Sequence, residues 1–197
     1  MLLASNDNIE IVAEADRGEA AIQLYLEKQP DVVVLDLSMP GIGGLECIRR
    51  LCNRDPQAKV LVFSVHDESV YVSRAIEAGA KGYITKNSAA EILADAIQAI
   101  AGGKHYIEAE LDKKFSTAPD FLQKENDYKN LLNTLSPKEF DIFCLLAKGL
   151  TTRKIADELC LSYKTVANYG TQIKTKFNAL TVAELARIAA ALGIINN

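Results

Sequence analysis

Three polar side chains interrupt apolar runs in this 197-residue chain. Asp36 follows VVVL, Ser64 follows KVLVF and Lys86 follows GYIT. If each run is a strand, the three residues sit where strands open to solvent. Strands often end in polar residues for no further reason. The types here are complementary, however: a carboxylate, a hydroxyl and an ammonium. Brought to one edge, they can form and hold an acyl phosphate, with the carboxylate as nucleophile and the other two gripping phosphoryl oxygens.

The elements that must position these groups follow from periodicity. Ile9–Ala15 (IEIVAEA) alternates as a strand does. Val32–Leu37 is a short continuous apolar run, the pattern of a strand buried on both faces, and Lys59–Val65 repeats it; Gly82–Lys86 is shorter. Helical stretches fall between them. Glu19–Lys28 follows Asp16, whose spacing to Glu19 resembles a capping box. Leu45–Asn53 follows the Gly41–Gly44 loop, and Ser69–Ala78 stops at Gly79. Ser88–Ala101 opens with S-x-x-E and stops at Gly102. Strands alternating with helices of this length predict βαβ units in a parallel sheet. Ligands of such sheets gather at the carboxyl ends of the strands.

The segments VVVLDLSMPGIGGLE, VFSVHDE and EAGAKGYITK resemble the receiver domain of two-component response regulators. The resemblance implies that Asp36 accepts phosphate from a histidine kinase, that Ser64 is the switch hydroxyl and that Lys86 pairs with the phosphoryl group. It makes Tyr83 the aromatic switch that turns inward, and places Pro40 and Gly44 in the loop after the phosphorylation site. It also implies Mg²⁺ as cofactor, with Asp36 and the Ser38 carbonyl among its ligands. Receivers begin with a strand ending in two adjacent acidic residues that hold this ion. MLLASNDNIE matches the back half of the helix after that strand, so the strand and its acidic pair are missing. The fit of the other segments favours a truncated start over a decayed receiver. As it stands, the chain is expected to be a poor phosphate acceptor.

From Leu135 the pattern is wholly helical. Ser136-Pro137-x-Glu139 combines an N-cap, a proline at the first helical position and the second half of a capping box. That helix runs to Lys148. A second, Thr152–Leu159, is capped by Thr151. The turn Cys160-Leu161-Ser162 leads to a third, from Tyr163 to Phe177, with Ser162 as its cap. A fourth starts at the capping box Thr181-x-x-Glu184 and runs to Leu192. Two helices joined by a tight turn, the second longer and basic, are organised as a helix-turn-helix. Val166, Gly170, Ile173 and Phe177 recur at helical spacing and are predicted to face the core. The sequence LSPKEFDIFCLLAKGLTTRKIADELCLSYKTVANYGTQIKTKF is similar to the LuxR-type helix-turn-helix. With a receiver, that makes the NarL/FixJ class, and Tyr169 points to its subgroup containing GacA and UvrY. The resemblance puts Ala167, Asn168 and Thr171 at base edges and Lys164, Thr165 and Lys174 at phosphates. Ala167 and Thr171 stand where many members carry Lys or Arg, so the base readout is expected to differ.

Together these readings predict an α/β flavodoxin-like receiver, its first strand missing, over residues 1–104. A polar linker over 105–133, with a short helix from Asp120, leads to an all-α four-helix LuxR-type domain over 134–197. Charge splits the same way. Residues 134–197 hold eight Lys and Arg against five Asp and Glu, a net of +3, while the remainder carries −7 of the total of −4. The expected partners are promoter DNA, a sensor histidine kinase and a second copy of the chain. The Ala183, Ala186 and Ala190 face of the last helix permits close approach in that dimer.

Composition is globular, at 49% hydrophobic and 24% charged. No run reaches the ~18–20 apolar residues of a membrane span. The start has no secretory pattern, which makes the expected location the cytoplasm. Cys47, Cys52, Cys144 and Cys160 form no CxxC pair, and neither His66 nor His105 has a metal-ligand partner at useful spacing. An enzyme reading, as a phosphatase with a DxDxT-like motif at Asp36, fails because Ser38 stands where the second Asp is needed. The remaining alternative is a phosphorylation-independent DNA-binding regulator whose receiver half only dimerises.

Overall fold

The computed structural model describes residues 8–111 and 123–195. The chain divides into two compact units, Met1–Thr117 and Ala118–Asn197. Read against MLLASNDNIE, residues 1–7 lie outside the described part, as do Asp120 and its two followers.

The first unit runs α1 (Gly18–Lys28), β1 (Val33–Leu35), α2 (Gly44–Arg54), β2 (Val60–Ser64), α3 (Ser69–Glu77), β3 (Gly82–Thr85), α4 (Ala90–Ala101) and β4 (Tyr106–Ile107). All pairings are parallel, in the order β1-β2-β3-β4. Leu61 and Ile84 meet Leu93, Ala96 and Ile100 of α4 in one core cluster. Strand side chains alternate, so Val60, Val62, Ser64 and Tyr83 point to the opposite face, all fully buried. Strand β4 was not foreseen. Its two residues add to β3 through Tyr106 N–H to Lys81 O and Glu108 N–H to Tyr83 O, a pairing too short to leave a periodic signal.

Three expectations need correction. Ile9–Ala15 is not a strand. It runs irregular and exposed, with Ile11 at 42% and Val12 at 47%. A strand exists only through its hydrogen-bonded neighbour, and the described residues pair none with it. For the same reason Val32–Leu37 is not buried on both faces. Its ordered part, β1, is the outermost strand, and Val34 is 39% exposed. Asp16 does not cap α1. Its carboxylate takes Arg17 instead, at 3.0 Å, and the N-cap position falls to Arg17.

Gly44 opens α2 beneath the turn that follows β1. A Cβ there would lie 2.4 Å from Leu37 Cα and 2.5 Å from the Asp36 carbonyl oxygen. Both are backbone atoms, so only glycine allows the helix this close to the end of β1.

The second unit is helical: α5 (Gln123–Asn133), α6 (Pro137–Ala147), α7 (Thr152–Glu158), α8 (Tyr163–Lys176) and α9 (Val182–Ala191). Helix α6 packs on α7, α8 and α9. Phe140, Phe143, Ile155, Val166, Ile173, Phe177 and Leu185 form the buried interior, with Phe143 stacked on Phe177 at 5.0 Å between centroids. The helix within the stretch read as linker joins this interior, since Leu132 is buried and the Tyr128 ring meets Phe177. All four caps read from the sequence accept the backbone N–H three residues on: Ser136, Thr151, Ser162 and Thr181.

Gly44→Ala is expected to lower stability by about 1–3 kcal/mol, the usual cost of overpacking. Urea denaturation against the parent chain checks this; an unchanged midpoint would refute the close-approach reading.

Candidate functional site

The ends of β1, β2 and β3 meet at one edge of the sheet. The parallel register pairs Leu35 with Val62 and Ser64 with Thr85. Asp36 and Lys86, each one residue beyond a strand, are therefore brought together although 50 positions apart. The Lys86 Nζ lies 2.6 Å from Asp36 Oδ2. The other carboxylate oxygen, Oδ1, accepts the Ser38 N–H at 3.0 Å. Both side chains are partly open to solvent. This is a carboxylate held in place with a cation at its side, reachable from outside.

Ser64 is fully buried and bound to the same cluster through its backbone, its carbonyl accepting the Lys86 N–H at 2.8 Å. The Ser64 Oγ accepts the His66 N–H at 3.3 Å. Tyr83 already lies inward. Its side chain is fully buried, and its hydroxyl donates to the His66 carbonyl at 2.9 Å. Burial pushes the Tyr83 phenol well above its ordinary value against an opposing hydrogen bond from Ser64, and the nearby Glu68, Asp36 and Asp67 carboxylates add to the rise. The structure thus brings Asp36, Ser38, Ser64, Tyr83 and Lys86 into one connected cluster.

Two further residues belong to the cluster. His66 stacks on Tyr71 with ring centroids 4.1 Å apart, and its Nε2 lies 3.0 Å from Ser38 Oγ. Glu108 reaches back from beyond β4. Its Oε2 accepts the Thr85 N–H at 3.1 Å and the Ser88 hydroxyl at 2.7 Å, continuing the ladder where β4 has run out. Ser88 is therefore engaged with Glu108 and does not cap α4, whose N-cap is Ala89 without a side-chain bond. Neither role could be read from the sequence. An S-x-x-E pattern is indistinguishable from a capping box until the fold delivers a competing acceptor.

The described residues supply one carboxylate, Asp36, to a metal ion at this edge. Among them no group of three or more His, Cys, Asp or Glu side chains could hold a metal. They do not make a Mg²⁺ site by themselves. The four cysteines are free thiols.

In the second unit, α7 and α8 are joined by a turn in which Cys160 adopts the left-handed region, φ 52°. Val166, Ile173 and Phe177 are buried as expected, and Gly170 is half-buried against Leu146. Lys164, Asn168 and Thr171 are exposed; Thr165, Ala167 and Lys174 are half-buried. The far end of α8 is anchored to α6, where Lys176 Nζ meets Glu139 Oε1 at 2.8 Å while Ser136 N–H donates to Oε2. Burial of Glu139 works to raise its carboxyl pKa. The bonds from Lys176 and Ser136 outweigh that and hold it below its ordinary value of 4.5.

This arrangement matches known families at both ends. Residues 1–98 match the response regulator receiver domain, and residues 133–189 match the bacterial regulatory proteins of the luxR family. The chain is 40% identical to the transcriptional activator protein ExaE of Pseudomonas putida, over 93% of this chain and 85% of that one. It is 35% identical to the response regulator GacA of Pseudomonas aeruginosa, over 99% and 90%. A crystal structure of a LuxR-family two-component response regulator from Aurantimonas sp. SI85-9A1 superposes with a TM-score of 0.57 at 37% identity, over 59% of this chain and 83% of that one. The chain belongs to the NarL/FixJ class of response regulators, DNA-binding transcriptional regulators of two-component systems in which a receiver is joined to a LuxR-type domain.

Because the Glu139 pKa is depressed on folding, its contribution is complete above about pH 4.5 and is lost as pH falls through the folded value. Glu139→Gln is expected to cost about 1–2 kcal/mol at pH 7 and much less at pH 3. Denaturation of the full chain at both pH values tests this; an equal loss at both would show that the charge is not responsible.

Proposed function

We propose that Asp36 is the phosphoacceptor through which a histidine kinase controls this regulator. The supporting observation is the Lys86–Asp36 ion pair at the carboxyl edge of the sheet. In the transfer, an Asp36 carboxylate oxygen attacks the phosphorus of a phosphohistidine. The O–P bond forms, the P–N bond breaks, and the electron pair stays on the imidazole. Lys86 then turns its ammonium to the phosphoryl oxygens. Ser64, whose hydroxyl here bonds the Tyr83 phenol oxygen, turns its proton outward to bind another. The buried Tyr83 supports the loop after β2 through its bond to the His66 carbonyl. The receiver occupies residues 1–104, with β4 just beyond it paired to the sheet, and the DNA-binding unit occupies 134–197, with α5 laid against it.

The output is promoter binding by a dimer in the cytoplasm. Helix α8 enters the major groove, Ala167, Asn168 and Thr171 meet base edges, and Lys164, Thr165 and Lys174 meet phosphates. Leu180, 84% exposed, and the exposed Ala183 support a dimer contact along α9. Among the described residues no helix is long and apolar enough to cross a membrane.

Acetyl phosphate is expected to label the chain only weakly, at Asp36, read as a mass shift, and Asp36→Asn to abolish the label. Equal labelling of the variant would overturn the assignment. On DNA, Asn168→Ala is expected to lose about 1–3 kcal/mol on the preferred site and relax discrimination at one base pair. Lys174→Ala is expected to weaken all duplexes alike and lower the salt slope by about 1. Binding to single-base variants at two salt concentrations separates them, and exchanged behaviours would show the roles to be misassigned.

A further inference from the structure

The outward face of α8 is unusual in what its side chains can still donate. At 100° per residue, Lys164, Asn168, Thr171 and Thr175 fall on the side opposite Val166, Ile173 and Phe177, and all four are exposed. Ala167 borders this face and is half-buried. The threonines are engaged with the helix itself. The Thr171 hydroxyl donates to the Ala167 carbonyl and the Thr175 hydroxyl to the Thr171 carbonyl, each at 3.1 Å. Thr165 is bound in the N-cap, its Oγ1 2.7 Å from Ser162 Oγ. Back-bonding of this kind is open to Thr on a helix because one rotamer aims the hydroxyl at the carbonyl four residues earlier. With its proton so committed, Thr171 offers the outside a methyl group and no donor. Ala167 also offers only a methyl.

On this face, then, the Asn168 amide lies beside the Thr171 methyl, with the Ala167 methyl at one border and the exposed Gln172 amide toward the other. Base pairs differ in what they ask of such a surface. Guanine presents two acceptors, N7 and O6, which need paired donors. An A·T pair presents the adenine N6 and N7 edge, which one Asn amide satisfies, and the C5 methyl of thymine, which packs on apolar atoms. We infer that the Ala167–Asn168–Thr171 patch selects A·T pairs, with Asn168 taking adenine and the Thr171 and Ala167 methyl groups taking thymine methyls. The inference rests on the reading that α8 meets DNA, and it adds which bases it chooses and by which atoms.

The test uses the full chain and a randomised duplex pool. Each half-site enriched from the pool is expected to contain adjacent A·T pairs at its centre. Enriched duplexes are then remade with deoxyuridine in place of each central thymidine, which removes the methyl and leaves the pairing edge. One such replacement is expected to weaken binding about fourfold, the worth of one buried methyl-sized group. Two substitutions assign the atoms. Thr171→Val keeps the methyl and loses the hydroxyl, and is expected to bind and respond to deoxyuridine like the parent. Thr171→Ser keeps the hydroxyl and loses the methyl. It is expected to bind the thymidine duplex about fourfold more weakly and to be indifferent to the replacement facing residue 171. Circular dichroism confirms that both variants remain helical. Enrichment of guanine at the centre, indifference of the parent to deoxyuridine, or loss in Thr171→Val with none in Thr171→Ser would overturn the inference while leaving DNA binding intact. Failure to bind any duplex at low salt would instead remove the DNA-binding reading on which it stands.

Discussion

Strand β2 is the member on which the first unit depends. It is hydrogen-bonded along both edges, to β1 and to β3, and Val60, Leu61, Val62 and Ser64 are fully buried. Its parallel register fixes where the neighbouring strands end. With Leu35 opposite Val62 and Ser64 opposite Thr85, the next residues, Asp36 and Lys86, are left on either side of β2 at its carboxyl end, and the long Lys86 side chain spans the remaining offset along the strand. The 2.6 Å ion pair follows from that register. A slip of one residue would send the side chains of a strand to the opposite face and part the carboxylate from the ammonium. The close approach of Gly44 and the Glu108 bonds to Thr85 and Ser88 hold the two flanking loops to this geometry.

The second unit solves a different problem with local means. Its helices are short, and isolated helices of 7–14 residues are marginal in water. Each of the four from α6 to α9 begins with a hydroxyl cap, and their apolar stripes close around Phe140, Phe143 and Phe177. The Glu139–Lys176 pair ties the start of α6 to the end of α8. Helix α8 is thereby presented as a rigid rod whose outer face is free to carry recognition.

How much was legible in the sequence depends on how local each signal is. Apolar runs revealed β1, β2 and β3 to within two residues at each end. The hydroxyl caps of α6 to α9 were legible because an N-cap, its N3 partner and the following stripe all lie within a few residues. Asp36, Ser64 and Lys86 were legible because each breaks an apolar run. Strand Ile9–Ala15 was misread because alternation describes a strand's faces and says nothing of whether a neighbour is present to bond it. Ser88 was misread because its competing acceptor, Glu108, lies 20 residues away. Strand β4 left no pattern, and His66 carried no sign that its ring would reach Ser38.

By itself the sequence determined the periodicities, the caps and the chemical types at the strand ends, since these are properties of neighbouring residues and of a fixed helical or extended repeat. Only the tertiary structure decided which of those residues meet. The Lys86–Asp36 pair, the inward Tyr83, the Glu108 rung and the exposure of Val34 all depend on which strand lies beside which. The threonine hydroxyls of α8 are an intermediate case. Their back-bonding is open to any helical Thr, yet only the packing of Val166, Ile173 and Phe177 into the interior settled that Thr171 and Thr175 would stand on the outer face. Sequence spacing fixes angles around a helix, and burial of the opposite face decides which of those angles points to solvent.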